Sequence, residues 1–150
     1  MKETKIRKLY LLAIDNFYLG NQYSTQIIKN VDIIISIGCN SKHISNNVEN
    51  IKFSIRDKNT SDITPFLDQV CDTINSYLSK NKKVLIHCKA GINRSPAFVI
   101  AYLIKYNDMN LEQAKDHIQK VRKIQFKQNF MEQIKIHFNL ETPIVSNLII

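Results

Sequence analysis

The sequence predicts an α/β fold, a single domain built on one central, mostly parallel sheet flanked by helices. Short apolar strand-like runs come first, strand and helix patterns then alternate, and helices close the chain. The run Val31-Asp32-Ile33-Ile34-Ile35-Ser36-Ile37 is rich in β-branched residues and stops at Gly38, as a strand buried on both faces does. At 150 residues the chain suffices for one compact domain with a real core and is too short for two ordinary ones.

The elements follow in order. Residues 9–14 and 17–19 read as two short strands, with Asp15-Asn16 as the turn of a hairpin. Residues 22–30 suit a short helix, and 31–37 form the buried strand. A polar loop covers 40–50, after which Ile51, Phe53 and Ile55 alternate with polar residues as a strand ending at Arg56-Asp57. From Ile63, the positions Phe66, Leu67, Val70, Cys71, Ile74, Tyr77 and Leu78 make a helical stripe, with Asp62 or Thr64 as N-cap and Pro65 in the first turn. Cys71 lies on that stripe and is expected to be a packed core thiol. Val84-Leu85-Ile86 is a short strand. The segment from Ser95 to Ile104 is apolar nearly all round, so its helix belongs at the centre of the domain. Leu111, Ala114, Ile118 and Val121 mark a further helix, and Phe130, Ile134 and Phe138 a last one.

Apolar residues make up 44% and charged residues 23%, which excludes a disordered chain, and no run of about 18 apolar residues exists to span a bilayer. The apolar stretch near the start is too short for a spanning helix and lacks a small-residue cleavage site, so a secretory signal is not expected. Cys39, Cys71 and Cys88, an odd number without close spacing, suit a reducing compartment. The expected location is the cytoplasm, with the nucleus compatible, or for a viral protein the host cytoplasm or virion. The abundance of Asn, Ile and Lys hints at an A/T-rich genome such as that of a virus or protist. A formal charge of +8 favours anionic partners without choosing among them, and the basic residues are spread as on solvated helix faces. His43, His117 and His137 show no metal spacing with the cysteines and read as surface or helix-edge residues.

The chemistry concentrates in His87-Cys88-Lys89-Ala90-Gly91-Ile92-Asn93-Arg94-Ser95, between a strand and the central helix. A strand, a tight loop and a helix N-terminus in succession form an anion site, because helix-start amides without intrahelical partners point into the loop. Gly91 is one of only three glycines and falls where a Cβ would obstruct the backbone or the ligand. Pro96 suits the first helical turn, where a missing N–H costs nothing. Cys88, at the focus of these amides and near Arg94, meets the conditions that favour a reactive thiolate. Arg94 offers a planar pair of donors to two phosphoryl oxygens, a task Lys would do less well. Ser95 is positioned to donate to the Cys88 sulfur, and His87 to order the loop rather than act as a base. The loop residues Lys89, Ala90, Gly91, Ile92 and Asn93, with Arg94, are the expected phosphate cradle.

The spacing His87-Cys88-x-x-Gly91-x-x-Arg94-Ser95 resembles the signature of the protein tyrosine phosphatase superfamily, and Ser95-Pro96-Ala97 with the helix beyond it resembles the dual-specificity branch. Phe17-Tyr18-Leu19-Gly20 is similar to that family's early segment, and Asn129-Phe130-Met131-Glu132-Gln133 to its C-terminal helix. The compact size is similar to small atypical and poxviral members. The resemblance implies a protein tyrosine phosphatase-like sandwich over residues 1–150 that hydrolyses phosphotyrosine and phosphoserine/threonine in phosphorylated proteins through a phosphocysteine. It implies no metal and no other cofactor.

The family also uses an aspartic acid about thirty residues before the cysteine as general acid. Asp57, 31 positions upstream of Cys88, is the match, and Asp62, at the start of a helix, is the rival better suited to capping. One departure bears on substrate: many members carry an acidic residue where this chain has Ala90, and Lys89 adds positive charge. A phosphatase of RNA 5′-phosphates or phosphoinositides with the same mechanism is therefore the first alternative, although no stable nucleic-acid partner is expected. A phosphoprotein-binding module without catalysis is the second, and it would ordinarily have lost the cysteine or arginine that this chain keeps.

Overall fold

The structure is a computed structural model, and it describes residues 10–24, 30–40, 48–89, 93–120 and 124–140. Five strands form one sheet in the order β1-β2-β5-β3-β4: β1 (Tyr10–Ile14), β2 (Phe17–Gly20), β3 (Ile33–Ile37), β4 (Glu49–Phe53) and β5 (Val84–His87). Only the β1–β2 hairpin is antiparallel; β2–β5, β5–β3 and β3–β4 all pair in parallel. Asn16 closes the hairpin at φ 66°, a left-handed angle that Asn tolerates because its short side chain bonds locally.

Every residue of β3 and β5 is buried, which is why those strands read as continuous apolar runs. Side chains alternate between faces. Ile33, Ile35, Ile37, Val84 and Ile86 point into the main core with the helices, whereas Ile34 and Leu85 join Val31, Tyr18 and Val48 in a smaller cluster.

Four helices follow: α1 (Thr64–Leu78), α2 (Arg94–Tyr106), α3 (Leu111–Gln119) and α4 (Gln128–His137). Helix α2 is buried from Arg94 through Leu103 and packs against α1, α3 and β2, so it occupies the centre its composition required. Phe17 of β2 meets Tyr102 of α2 edge to face, with ring centroids 5.4 Å apart, which fixes the hairpin against that helix. Cys71 is fully buried on α1, and burial pushes its thiol up to about 12, so it packs as an inert apolar side chain. The three cysteines form no disulfide. None of the described helices is long and apolar enough to cross a membrane.

Several boundaries differ from the sequence reading. The fourth strand begins at Glu49, inside the expected polar loop, and ends at Phe53 rather than Asp57. Its partner supplies the reason: β3 has five residues, paired from Ile33↔Glu49 to Ile37↔Phe53, and the Gly38 amide then caps the ladder on the Phe53 carbonyl at 2.8 Å. The N-cap of α1 is Ile63, not Asp62 or Thr64, and has no side chain to serve the orphan amides. Gln133 of α4 serves instead, its Oε1 accepting from Ile63 N at 2.6 Å, while Asp62 accepts from Thr64 N at 3.0 Å. Helix α3 carries a full capping box between Asn110 and Gln113. The expected helix over 22–30 falls largely outside the described residues, as do Leu9, His43 and Val121.

Candidate active site

The last residue of β5 is His87, and α2 begins at Arg94, so the loop between them leaves the carboxyl end of the central strand. Ligands of parallel sheets collect at that edge. Cys88 is 2% exposed, and Ser95, fully buried in the first turn of α2, donates from Oγ to its sulfur at 3.2 Å. Ala90, Gly91 and Ile92 lie outside the described residues. Lys89 and Asn93 are described, and both border the cavity at Cys88.

His87 is fully buried. Its Nε2 lies 2.8 Å from the Ser36 hydroxyl on the neighbouring strand β3, and Ser36 in turn donates to Asn50 Oδ1 at 3.0 Å. Its Nδ1 lies 3.6 Å from Cys39 Sγ. Burial pushes the imidazole down to about 4, against a backbone hydrogen bond at Cys88 that works the other way. The ring is therefore neutral at physiological pH and ties the end of β5 to β3 through Ser36.

Arg94 is 9% exposed, and its guanidinium is anchored at one corner: Nη1 donates to the Ile55 carbonyl at 3.1 Å. Its Nε is buried and finds no hydrogen-bond partner among the described residues. A buried charged donor left open in this way costs stability, and an oxyanion would satisfy it. Gly38 makes the anchor possible. At φ +69° a Cβ there would stand 2.0 Å from Arg94 Nη1 and 2.2 Å from the Ile55 oxygen. In the sequence, Gly38 marks only the end of a strand.

Asp57 faces the same cavity, about 390 Å³ in volume, which it lines with Cys88, Lys89, Asn93 and Arg94, and with Gln22 and Gln125 at the rim. Its Oδ2 accepts from Asn93 Nδ2 at 3.2 Å, and its Oδ1 lies 2.8 Å from Lys127 Nζ. Partial burial pushes the carboxyl up, but the hydrogen bonds from Lys127 and Asn93 and the charges of Lys127 and Arg94 outweigh it and hold the group below its usual range. Asp62 does not line this cavity; it serves the start of α1.

Sequence reasoning missed the clamp on the Asp57 loop. Lys127 Nζ also reaches the Asp57 carbonyl at 3.3 Å, Asn129 Nδ2 donates to the Lys58 carbonyl at 3.2 Å, and Gln133 Nε2 to the Ser61 carbonyl at 2.9 Å. The Asn129–Gln133 pattern was visible in the sequence, but its task of holding another loop was not. A second, wider cavity of about 650 Å³ shares Arg94 and Asp57 and carries Lys52, Arg56 and Lys58. Among the described residues, no group of three or more His, Cys, Asp or Glu side chains could hold a metal ion.

A thiol at the end of a central parallel strand, bonded by a buried serine and faced by a buried arginine with an open donor, belongs to the cysteine-dependent phosphatases. The chain is a member of the dual specificity phosphatase catalytic-domain family, whose model matches residues 17–139. Among individual relatives it is 30% identical over 126 residues to the putative tyrosine phosphatase 123R of Invertebrate iridescent virus 6, covering 84% of each chain. It is 38% identical over 91 residues to tyrosine-protein phosphatase yvh1 of Schizosaccharomyces pombe, a match that takes in 60% of this chain and 28% of that protein. The match to dual specificity protein phosphatase 18 of Bos taurus is 31% identical and spans 81% of this chain and 61% of that one. The human tyrosine phosphatase-like serine/threonine/tyrosine-interacting protein has the same fold, with a TM-score of 0.79 at 24% identity over 89% of this chain and 97% of that chain.

Proposed function

We propose that residues 1–150 form one catalytic domain that hydrolyses phosphotyrosine and phosphoserine/threonine in proteins, with Cys88 as nucleophile, Arg94 as oxyanion clamp and Asp57 as general acid and base. The observation that carries the reading is the open, buried Nε of Arg94 beside a cysteine that accepts a hydrogen bond from Ser95. In the first step the Cys88 sulfur attacks phosphorus, the S–P bond forms, the ester P–O bond breaks and Asp57 gives its proton to the departing oxygen. In the second step water attacks phosphorus, Asp57 takes its proton, the S–P bond breaks and inorganic phosphate leaves. Ser95 Oγ–H stabilises the sulfur as it regains negative charge. Arg94, the amide of Asn93 and the rest of the loop hold the equatorial oxygens through both steps, where phosphoryl transfer needs most help. Lys89 adds positive charge at the rim. A reducing compartment, cytoplasmic or nuclear, suits three cysteines that form no disulfide.

The test is Cys88→Ser, assayed on phosphotyrosine and phosphoserine peptides beside RNA 5′-phosphates and phosphoinositides. Turnover of the peptides by the wild type, abolished in the variant while inorganic phosphate still binds, is the expected result. Undiminished activity in Cys88→Ser refutes the nucleophile assignment. Rapid release from RNA ends or lipid beside negligible peptide turnover refutes the substrate.

A further inference from the structure

The carboxylate that the proposed mechanism requires as an acid is tied up as a base. Asp57 has donors on both oxygens, Asn93 Nδ2 on one and Lys127 Nζ on the other. A protonated carboxyl has fewer acceptor sites to offer, and an ammonium cannot accept the new O–H, so this arrangement fits the ionised form.

Lys127 is held in place for that contact. It is the N-cap of α4, its side chain is only 18% exposed, and its ammonium rests over the Phe130 ring 5.9 Å from the centroid. It grips Asp57 twice, at Oδ1 and at the backbone carbonyl. The other groups around Asp57 are Arg94 and Asn93 from the start of α2, Lys89 and Cys88 across the cavity, and Arg56 and Lys58 beside it on its own loop. Apart from the nucleophile Cys88, every charged side chain in that set is cationic, and Lys127 is the one in contact with the carboxylate.

We propose that Lys127 is a positioning residue that governs the proton on Asp57 and thereby tilts the enzyme toward phosphotyrosine over phosphoserine and phosphothreonine at neutral pH. The inference rests on the phosphatase reading above and names a preference within it. A phenol has a pKa of about 10 and leaves with modest help, whereas an aliphatic alcohol is far more basic and needs the acid's proton in the transition state. Keeping Asp57 ionised therefore slows the first step on alkyl esters much more than on aryl esters. The same carboxylate is then ready to take the proton of water in the second step. Burial and the cationic neighbours of Asp57 act in opposite directions, and the hydrogen bond and charge of Lys127 are among the contributions that settle the balance toward the anion.

The test uses the full chain and two peptides of one sequence, carrying either phosphotyrosine or phosphoserine, with kcat/KM measured across pH. Lys127→Met is expected to carry the alkaline limb of the phosphoserine profile to higher pH and to raise the phosphoserine-to-phosphotyrosine ratio at pH 7 by about three- to tenfold. Lys127→Arg, which keeps the charge, is expected to retain the wild-type limb. Lys127→Gln, which keeps length and a donor but no charge, repeats the test if the Met variant folds poorly. An unmoved limb, or a proportional fall on both peptides at every pH, overturns the proposal and leaves Lys127 as a structural tie. Asp57→Asn separates the two failures. If it leaves phosphoserine turnover intact, the acid assignment itself is wrong; if it abolishes that turnover while Lys127→Met moves nothing, only the role of Lys127 falls.

Discussion

Gly38→Ala is the substitution through which the geometry of the site can be tested most sharply, since Gly38 brings no side chain to the chemistry yet underlies the anchor of Arg94. An alanine at φ +69° takes a left-handed backbone that costs a non-glycine residue about 1–2 kcal/mol. Its Cβ would also stand 2.2 Å from the Ile55 carbonyl oxygen, which is backbone and cannot rotate away, and 2.0 Å from Arg94 Nη1. The Nη1–Ile55 hydrogen bond cannot survive that intrusion, and a bond to a charged group is worth roughly 1.5–3 kcal/mol. Together the losses come to about 2.5–5 kcal/mol, or a fall in Tm of roughly 5–20 °C for a chain of this size. With the guanidinium displaced, kcat/KM on a phosphotyrosine peptide is expected to drop ~10²–10³-fold, the range seen when one oxyanion donor is lost. The assay pairs thermal unfolding by circular dichroism with kinetics in both wild-type and Arg94→Ala backgrounds. The activity loss should vanish in the Arg94→Ala background, while the backbone part of the stability loss persists. An equal fold-loss of activity in both backgrounds, or a Gly38→Ala protein that melts and turns over like the wild type, would mean that Gly38 does not sustain the Arg94 anchor.

Two further outcomes follow from the same geometry. His87 is pushed down to about 4 in the fold against about 6.5 in an unfolded chain, so its contribution is fully present above pH 6.5 and is lost as pH falls toward 4; the loss is about 3 kcal/mol, and Tm measured against pH should decline less steeply in His87→Asn. Asp57→Asn should lower turnover of a phosphoserine peptide by ~10²–10⁴-fold and that of an activated aryl phosphate much less. Asp62→Asn should spare both activities, and the reverse pattern in steady-state kinetics would transfer the acid role to Asp62.

The parts of this molecule that were legible in its sequence are those written by neighbours along the chain. The buried strands, the stripe of α1 and the all-apolar α2 depend on periodicity and local stereochemistry, and each appears where expected. What escaped depends on segments far apart in sequence meeting in space. Glu49 and Asn50 look like loop because nothing polar marks an edge strand; β3 recruits them by pairing. Ile63 is a poor cap, and Gln133, 70 positions away, replaces the missing acceptor. The anchor of Arg94 is a carbonyl 39 positions earlier, and the clamp on Asp57 is a lysine 70 positions later. A carbonyl has no identity in a sequence, and a lysine on a basic chain does not announce which carboxylate it will meet.

The bond from Arg94 to Ile55 also has a mechanical side. Ile55 is two residues before Asp57, so Arg94 holds the strand exit that carries Asp57. A bound oxyanion that engages Nε is expected to hold the guanidinium from its other edge and, through the Ile55 carbonyl, to restrain residues 55–57. Amides of this short segment should exchange with deuterium more slowly when inorganic phosphate is bound. Slower exchange there would mean that occupancy at one loop is felt as restraint in the other, through a single side-chain-to-carbonyl bond.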